Sequence, residues 1–143
     1  MLLRGVCHCG NIAFRLNWSP EPLEIPARAC SCSFCKKHGG VWTSCSTGSL
    51  TVSIKNQSQV SRYSFGTRTA DFHVCTVCGT VPFVTSAIEG RTYAVVNVNS
   101  MEGVDTSLLK HAPISFDGED EAGRLKRRAR GWIPTVQYAS SDA

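Results

Sequence analysis

The chain has 143 residues, 42% of them hydrophobic, and a formal net charge of +4. The length suits one domain with a real core, the composition excludes a disordered chain, and no apolar run approaches the roughly 18 residues that span a bilayer. Eight cysteines without any mark of secretion argue against a disulfide scaffold, and their thiolates, once metal-bound, would cancel most of the positive charge.

In chain order, "MLLRGVCHCG" brings Arg4 and two cysteines too early for a signal-peptide core, so a cytoplasmic protein is expected. "NIAFRLNW" then alternates Ile12, Phe14, Leu16 and Trp18 on one face, the period of a half-buried strand. "SPEPLEIP" (19–26) carries three prolines and reads as an extended loop leading into "ACSCSFCKKHGG" (29–40). One helical turn is predicted after Cys35, ended by Gly39 and Gly40. Short segments rich in β-branched and aromatic residues follow at 50–54, 60–65, 70–74, 80–84 and 92–98, with another helical turn near 104–111. No long stretch shows a helical apolar stripe, so the prediction is a mainly-β domain of small twisted sheets. "DGEDEAGRLKRRARG" (117–131) sets an acidic block beside a basic one and reads as a solvated loop and strand with mutually screening charges, and "QYASSDA" (137–143) as a frayed tail.

The cysteine spacing carries the chemistry. Cys7 and Cys9 are too close for a comfortable mutual disulfide, and "CHCG" (7–10) and "CTVCG" (75–79) both end in cysteine followed by glycine. That is the pattern of a zinc knuckle, in which a tight turn points backbone N–H groups at the sulfurs and glycine accepts a positive φ. Cys7, Cys9, Cys75 and Cys78 together offer a four-thiolate site that would close a long loop, and it reads as structural. Four thiolates accept iron as well as zinc; zinc is favoured because no other redox machinery is visible.

Cys30, Cys32 and Cys35 offer three thiolates, leaving one position for water or a substrate thiol, the arrangement of a catalytic zinc site. Two residues are placed to close it: His38, about one helical turn after Cys35, and Cys45, which could fold back from a strand. A structural Cys₃His or Cys₄ site is therefore the competing reading. His8 is expected to point outward, His73 to face solvent or a ligand's outer partner, and His111 to sit in a loop.

Taken in order, "GVCHCGNIAF", "CSCSFCKKHGG" and "FHVCTVCGTVPF" resemble the glutathione-dependent formaldehyde-activating enzyme family, which includes the centromere protein V domain. The resemblance covers about residues 4–116 of a single domain 1–143 and leaves 117–143 as a charged segment and tail. It implies an Mss4-like fold of twisted antiparallel sheets clipped by zinc. It also implies two Zn²⁺ ions per chain, a structural one on Cys7, Cys9, Cys75 and Cys78 and a catalytic one on Cys30, Cys32 and Cys35. The implied activity is of the carbon–sulfur lyase type, linking glutathione and formaldehyde to S-hydroxymethylglutathione. Arg28, Lys36 and Lys37 are the candidates beside the cluster for binding the carboxylates of that small-molecule thiol.

Two other readings compete. In a zinc-stabilised binding module neither site is catalytic, and the charged 117–131 stretch would dock a protein or nucleic-acid partner; the charge balance makes nucleic acid the weaker choice, and no membrane partner is expected. A methionine sulfoxide reductase would need a reactive cysteine that binds no metal, and Cys45 is the only candidate.

Overall fold

In the computed structural model, which describes residues 1–139, the alternating segments pair into two sheets. The five-stranded sheet runs β10 (Met101–Glu102), β1 (Leu2–Val6), β2 (Ile12–Asn17), β5 (Ser49–Ile54), β12 (Thr135–Tyr138). The seven-stranded sheet runs β11 (Leu109–Ile114), β3 (Ile25–Cys30), β4 (Val41–Thr43), β9 (Arg91–Asn97), β8 (Phe83–Ile88), β7 (Asp71–Cys75), β6 (Val60–Tyr63). Two helices, α1 (Ser33–His38) and α2 (Glu121–Gly131), complete the frame. Among the described residues no helix is long and apolar enough to cross a membrane.

The main core lies between the sheets. Ile12, Phe14, Leu16 and Trp18 are all buried, as their spacing predicts, and join Leu50 and Val52 of β5. From the other sheet Ile25, Phe83, Ala94 and Val96 meet them. The Phe14 ring lies directly across Gly5, its register partner on β1; a Cβ there would come within 2.2 Å of a ring atom, so only glycine fits.

Strand alternation makes the seven-stranded sheet two-sided. Phe83, Ala94, Val96 and Cys75 face the main core, whereas their neighbours Val84, Val95 and Val74 belong to a second apolar cluster with Cys35, Trp42 and Phe72. On β3, Ile25 and Ala27 are buried, while Arg28 and Cys30 share the opposite face. The sheet thus has a closed side and a side on which a cleft is built.

Several expectations change. The sheets are mixed, because the last strand of each enters parallel: β11 beside β3 and β12 beside β5. The loop expected over 19–26 already becomes strand at Ile25, and Pro26 is accommodated within β3. Helix α1 starts at Ser33, before Cys35: the Cys32 sulfur caps it by accepting the Cys35 N–H, and Gly39 ends it at φ 75°. Residues 80–82 close the Cys75 turn, so β8 begins only at Phe83. The turn near 104–111 is a short 3₁₀ turn at Thr106–Leu108 followed by β11, which places His111 on an exposed edge strand. Gln137 and Tyr138 pair with Thr51 and Val52, so the strand runs into the segment expected to fray, whose residues 140–143 lie outside the described part.

The largest correction is α2. Residues 121–131, expected as loop and strand, are helical: Asp120 caps the helix by accepting the Gly123 N–H, Glu121 sits in its first turn, and Arg128 and Arg130 in its last. An apolar-stripe criterion misses it because the stripe turned inward is basic, with Arg128 the buried residue.

Candidate metal centres

The first cluster forms where two turns meet. Cys7 and Cys9 lie between β1 and β2, Cys75 ends β7, and Cys78 belongs to the turn that follows. Gly10 at φ 92° and Gly79 at φ 78° adopt the positive φ that the knuckle requires. The four sulfurs lie within 4.8 Å of one another, with Cys7–Cys9 at 3.7 Å and Cys9–Cys75 at 3.4 Å. Around a tetrahedral zinc with Zn–S bonds of about 2.3 Å, sulfurs stand about 3.8 Å apart, so the donor set fits that ion. The Ile12 N–H donates to the Cys7 sulfur at 3.3 Å, the kind of backbone bond that steadies a thiolate. The proton balance says the same. Although the Asn11 backbone N–H lowers it, Cys9 is pushed up to about 11, by the hydrogen bond with Cys75, by burial and by Cys7 and Cys78. Thiols this crowded cannot all ionise against one another, and a divalent cation would relieve that repulsion.

The second cluster is local. Cys30 ends β3, Cys32 caps α1 and Cys35 lies within it, and their sulfurs are again within 4.8 Å of one another. The Trp42 indole N–H donates to the Cys35 sulfur at 3.3 Å, and the Cys35 N–H to Cys32 at 3.3 Å. Cys30 is drawn down to about 5, first by the hydrogen bond from Cys35, while Cys35 is pushed up by that same bond and by burial. The pair shares a proton that a metal would replace.

Neither candidate fourth ligand joins these three sulfurs. His38 instead packs against Phe34, with ring centroids 4.4 Å apart, and against Trp42 at 5.9 Å; its Nε2 is buried without a partner, and burial lowers its pKa. Cys45 is buried in the main core, beside Thr47 at 3.4 Å. Its burial there also removes the exposed reactive thiol that a sulfoxide reductase would need. His8 is exposed as expected, but His73 is buried, stacked on Phe83 and hydrogen-bonded to Thr85 at 2.7 Å.

The three-thiol cluster opens into a cleft of ≈ 640 Å³. Trp42, Phe65, Phe72 and Trp132 give it an aromatic wall. Arg28 comes from β3, two residues before Cys30 on the same strand face, and Arg124, Arg127 and Arg128 come from α2. Lys36 and Lys37 are exposed and do not line the cleft, so of the three cations expected to serve the site only Arg28 does. Sequence reasoning missed Trp42 and the α2 arginines. The arginines were signalled by the 124, 127, 128 spacing, which places them on one helix face; Trp42 had no signal short of the fold.

Comparison with known proteins agrees with this geometry. A family model described as glutathione-dependent formaldehyde-activating enzyme matches residues 2–113. A Halomonas elongata protein that carries that name provisionally is 50% identical over 40 residues, 28% of this chain and 24% of that protein, so the match spans about a quarter of the relative. The crystal structure of a Rhodobacter sphaeroides protein, solved as a structural-genomics target, superposes with a TM-score of 0.56 and 27% identity, covering 77% of this chain and 97% of that one. The chain belongs to the glutathione-dependent formaldehyde-activating enzyme family.

Proposed function

We propose that the protein is a zinc-dependent enzyme of the carbon–sulfur lyase type that adds a thiol to formaldehyde, with glutathione the first thiol to test. The observation that carries this reading is the three-thiol cluster at the wall of a cleft, with no fourth protein ligand gathered among the described residues. In the reaction the thiol sulfur bonds to the carbonyl carbon, the C=O π pair moves to oxygen, and the thiol proton ends on that oxygen as the hydroxyl of the S-hydroxymethyl product. Cys30, Cys32 and Cys35 would hold zinc, which when bound supplies a Lewis acid that lowers the pKa of a thiol and polarises a carbonyl.

The chain's own residues do the rest. Trp42 fixes the Cys35 sulfur through its N–H and sets that ligand's direction. The aromatic wall excludes water from the reacting thiol, which favours the thiolate attack over solvation of the aldehyde. The four-thiol cluster serves the fold, Cys7 and Cys9 being tied to Cys75 and Cys78 across the sheets. Residues 1–143 act as one unit, and the unbridged thiols suit a reducing compartment such as the cytoplasm.

The test is exchange at equilibrium. Protein carrying two zinc ions per chain should speed interconversion of free glutathione and S-hydroxymethylglutathione, read by NMR exchange in a formaldehyde–glutathione mixture. No acceleration at full zinc loading removes the formaldehyde assignment. A binding module would instead need a protein fourth ligand on the second metal, which His38 and Cys45 do not provide in this arrangement.

A further inference from the structure

We infer that the aromatic wall of the cleft is a subsite for an apolar group on the carbonyl partner, so that the enzyme also adds its thiol to aldehydes bearing an aryl or alkyl substituent. The inference rests on the thiol-addition reading above and concerns which aldehydes that site accepts. The step keeps the same balance: the thiol sulfur bonds to the carbonyl carbon, the C=O π pair moves to oxygen, and the thiol proton ends on that oxygen. The product is a hemithioacetal, and no oxidant or reductant is consumed.

The central observation is where the rings lie. The Trp42 indole N–H reaches the Cys35 sulfur at 3.3 Å, so the wall starts at the thiol cluster itself. From there it continues: Trp42 meets Phe72 edge to face with 5.9 Å between centroids, and Phe72 stacks on Phe65 at 5.4 Å. Phe72, Val84 and Val95 are register partners in turn across β7, β8 and β9, and all three line the cleft, so its floor is apolar over three adjacent strands. Phe34 of α1 backs the rings, 4.8 Å from Phe72 and 5.5 Å from Phe65. It thereby ties the β6–β7 loop to the helix that carries Cys35.

Formaldehyde has no use for most of this surface. It is a single carbon without an apolar group, and its thiol adduct ends in a polar hydroxymethyl. Shielding the reacting sulfur from water takes the ring beside the cluster, which is Trp42. Phe72 and Phe65 come after it in the wall, both half-buried, in a cleft whose ≈ 640 Å³ suits a ligand many times larger than formaldehyde. Charge does not claim these two rings either. Arg127 and Arg128 lie over Phe116 and Trp132, at 3.5 and 5.0 Å, and among the described residues no guanidinium stacks on Phe65 or Phe72. Apolar surface left wet at a binding site gains only when an apolar partner covers it. A substituent on the carbon that bonds the thiol, held beside Cys35, has the Trp42–Phe72–Phe65 face to lie on.

The probes are S-benzylglutathione and S-methylglutathione, in which the group on sulfur stands where the aldehyde carbon and its substituent would be. Both carry the same peptide and the same carboxylates, so the ratio of their affinities reads the sulfur substituent alone. Titrated calorimetrically into the zinc-loaded full chain, the benzyl probe should bind about tenfold or more tighter, the scale of one partly buried phenyl ring. Phe65→Ala and Phe72→Ala should each reduce that ratio to about threefold or less. Leu23→Ala, on a side chain 97% exposed and outside the cleft, should leave it unchanged. If Phe72→Ala does not fold, Phe65→Ala, in the β6–β7 loop, carries the test. Equal affinity for the two probes, no binding of either, or a benzyl preference unmoved in the folded phenylalanine variants overturns the inference. At equilibrium the wild type should also speed exchange between glutathione and its benzaldehyde hemithioacetal, and Phe65→Ala should lose more of that rate than of the formaldehyde rate. Failure here is distinct from failure of the parent reading. Accelerated formaldehyde exchange with no benzyl preference, or with no acceleration for benzaldehyde, refutes the subsite alone. A benzyl preference carried by the phenylalanines, with no aldehyde accelerated, refutes the thiol addition on which the inference rests.

Discussion

The two cysteine clusters use the same donor chemistry on opposite faces of one sheet. Cys75 faces the core between the sheets and meets Cys9, 66 positions earlier in the chain, whereas Cys35 faces the cleft and meets ligands from its own six-residue neighbourhood. A metal in the first ties the β1–β2 turn to the β7–β8 turn and so closes a long loop in the unfolded chain, the circumstance in which a clip contributes most to stability. A metal in the second closes almost nothing. On the function proposed above, identical thiol donors would therefore take different roles from the segments they join and the side of the sheet they face.

The strongest way to break this comparison is to remove one ligand from each cluster. Cys75→Ser should abolish cooperative folding, because a structural zinc contributes about 10–16 kcal/mol in small domains, comparable with the whole stability of a domain this size. Cys32→Ser should keep a folded protein, since serine can still cap α1, while the zinc content falls from about two ions per chain to about one. Circular dichroism with metal analysis reads both. Equal behaviour of the two variants would refute the division into structural and reactive sites.

A smaller effect is expected at the partners of the second cluster. Trp42→Phe keeps the aromatic wall but deletes the N–H donor to Cys35, and should weaken zinc there about 10–100-fold in chelator competition without touching the first site. His38→Phe should leave both zinc ions in place and, by removing a buried unpartnered nitrogen, stabilise the protein by up to about 1 kcal/mol in urea melts. Loss of the second zinc in that variant would make His38 the fourth ligand and revive the binding-module reading.

The strand faces and both clusters were legible from local pattern. Ile12, Phe14, Leu16 and Trp18 point one way because a strand's period is fixed by its backbone, and cysteine pairs announce a knuckle by spacing alone. What stayed hidden depended on long-range pairing. β3 was obscured by Pro26, and the parallel pairing of β11 and β12 has no local signature. The inner face of α2 is basic, a pattern that reads as solvated until a cleft is known to lie beneath it. The local motif thus marked where metal would sit, and the tertiary fold alone supplied what faces it.

The finest distinction between the two regions lies in Glu119, which touches the cleft side alone. The Arg127 hydrogen bond holds its carboxyl below the usual range. The folded state then binds fewer protons than the unfolded chain as pH approaches the ordinary 4.5, so this contribution is complete above that value and is lost as pH falls through the depressed folded pKa. Glu119→Gln should lower stability by about 1 kcal/mol or less above pH 5, the scale of a largely surface ion pair, and the difference from wild type should vanish in stronger acid. Acid also protonates the cysteine ligands, but it does so in both proteins, and the difference between them cancels that loss.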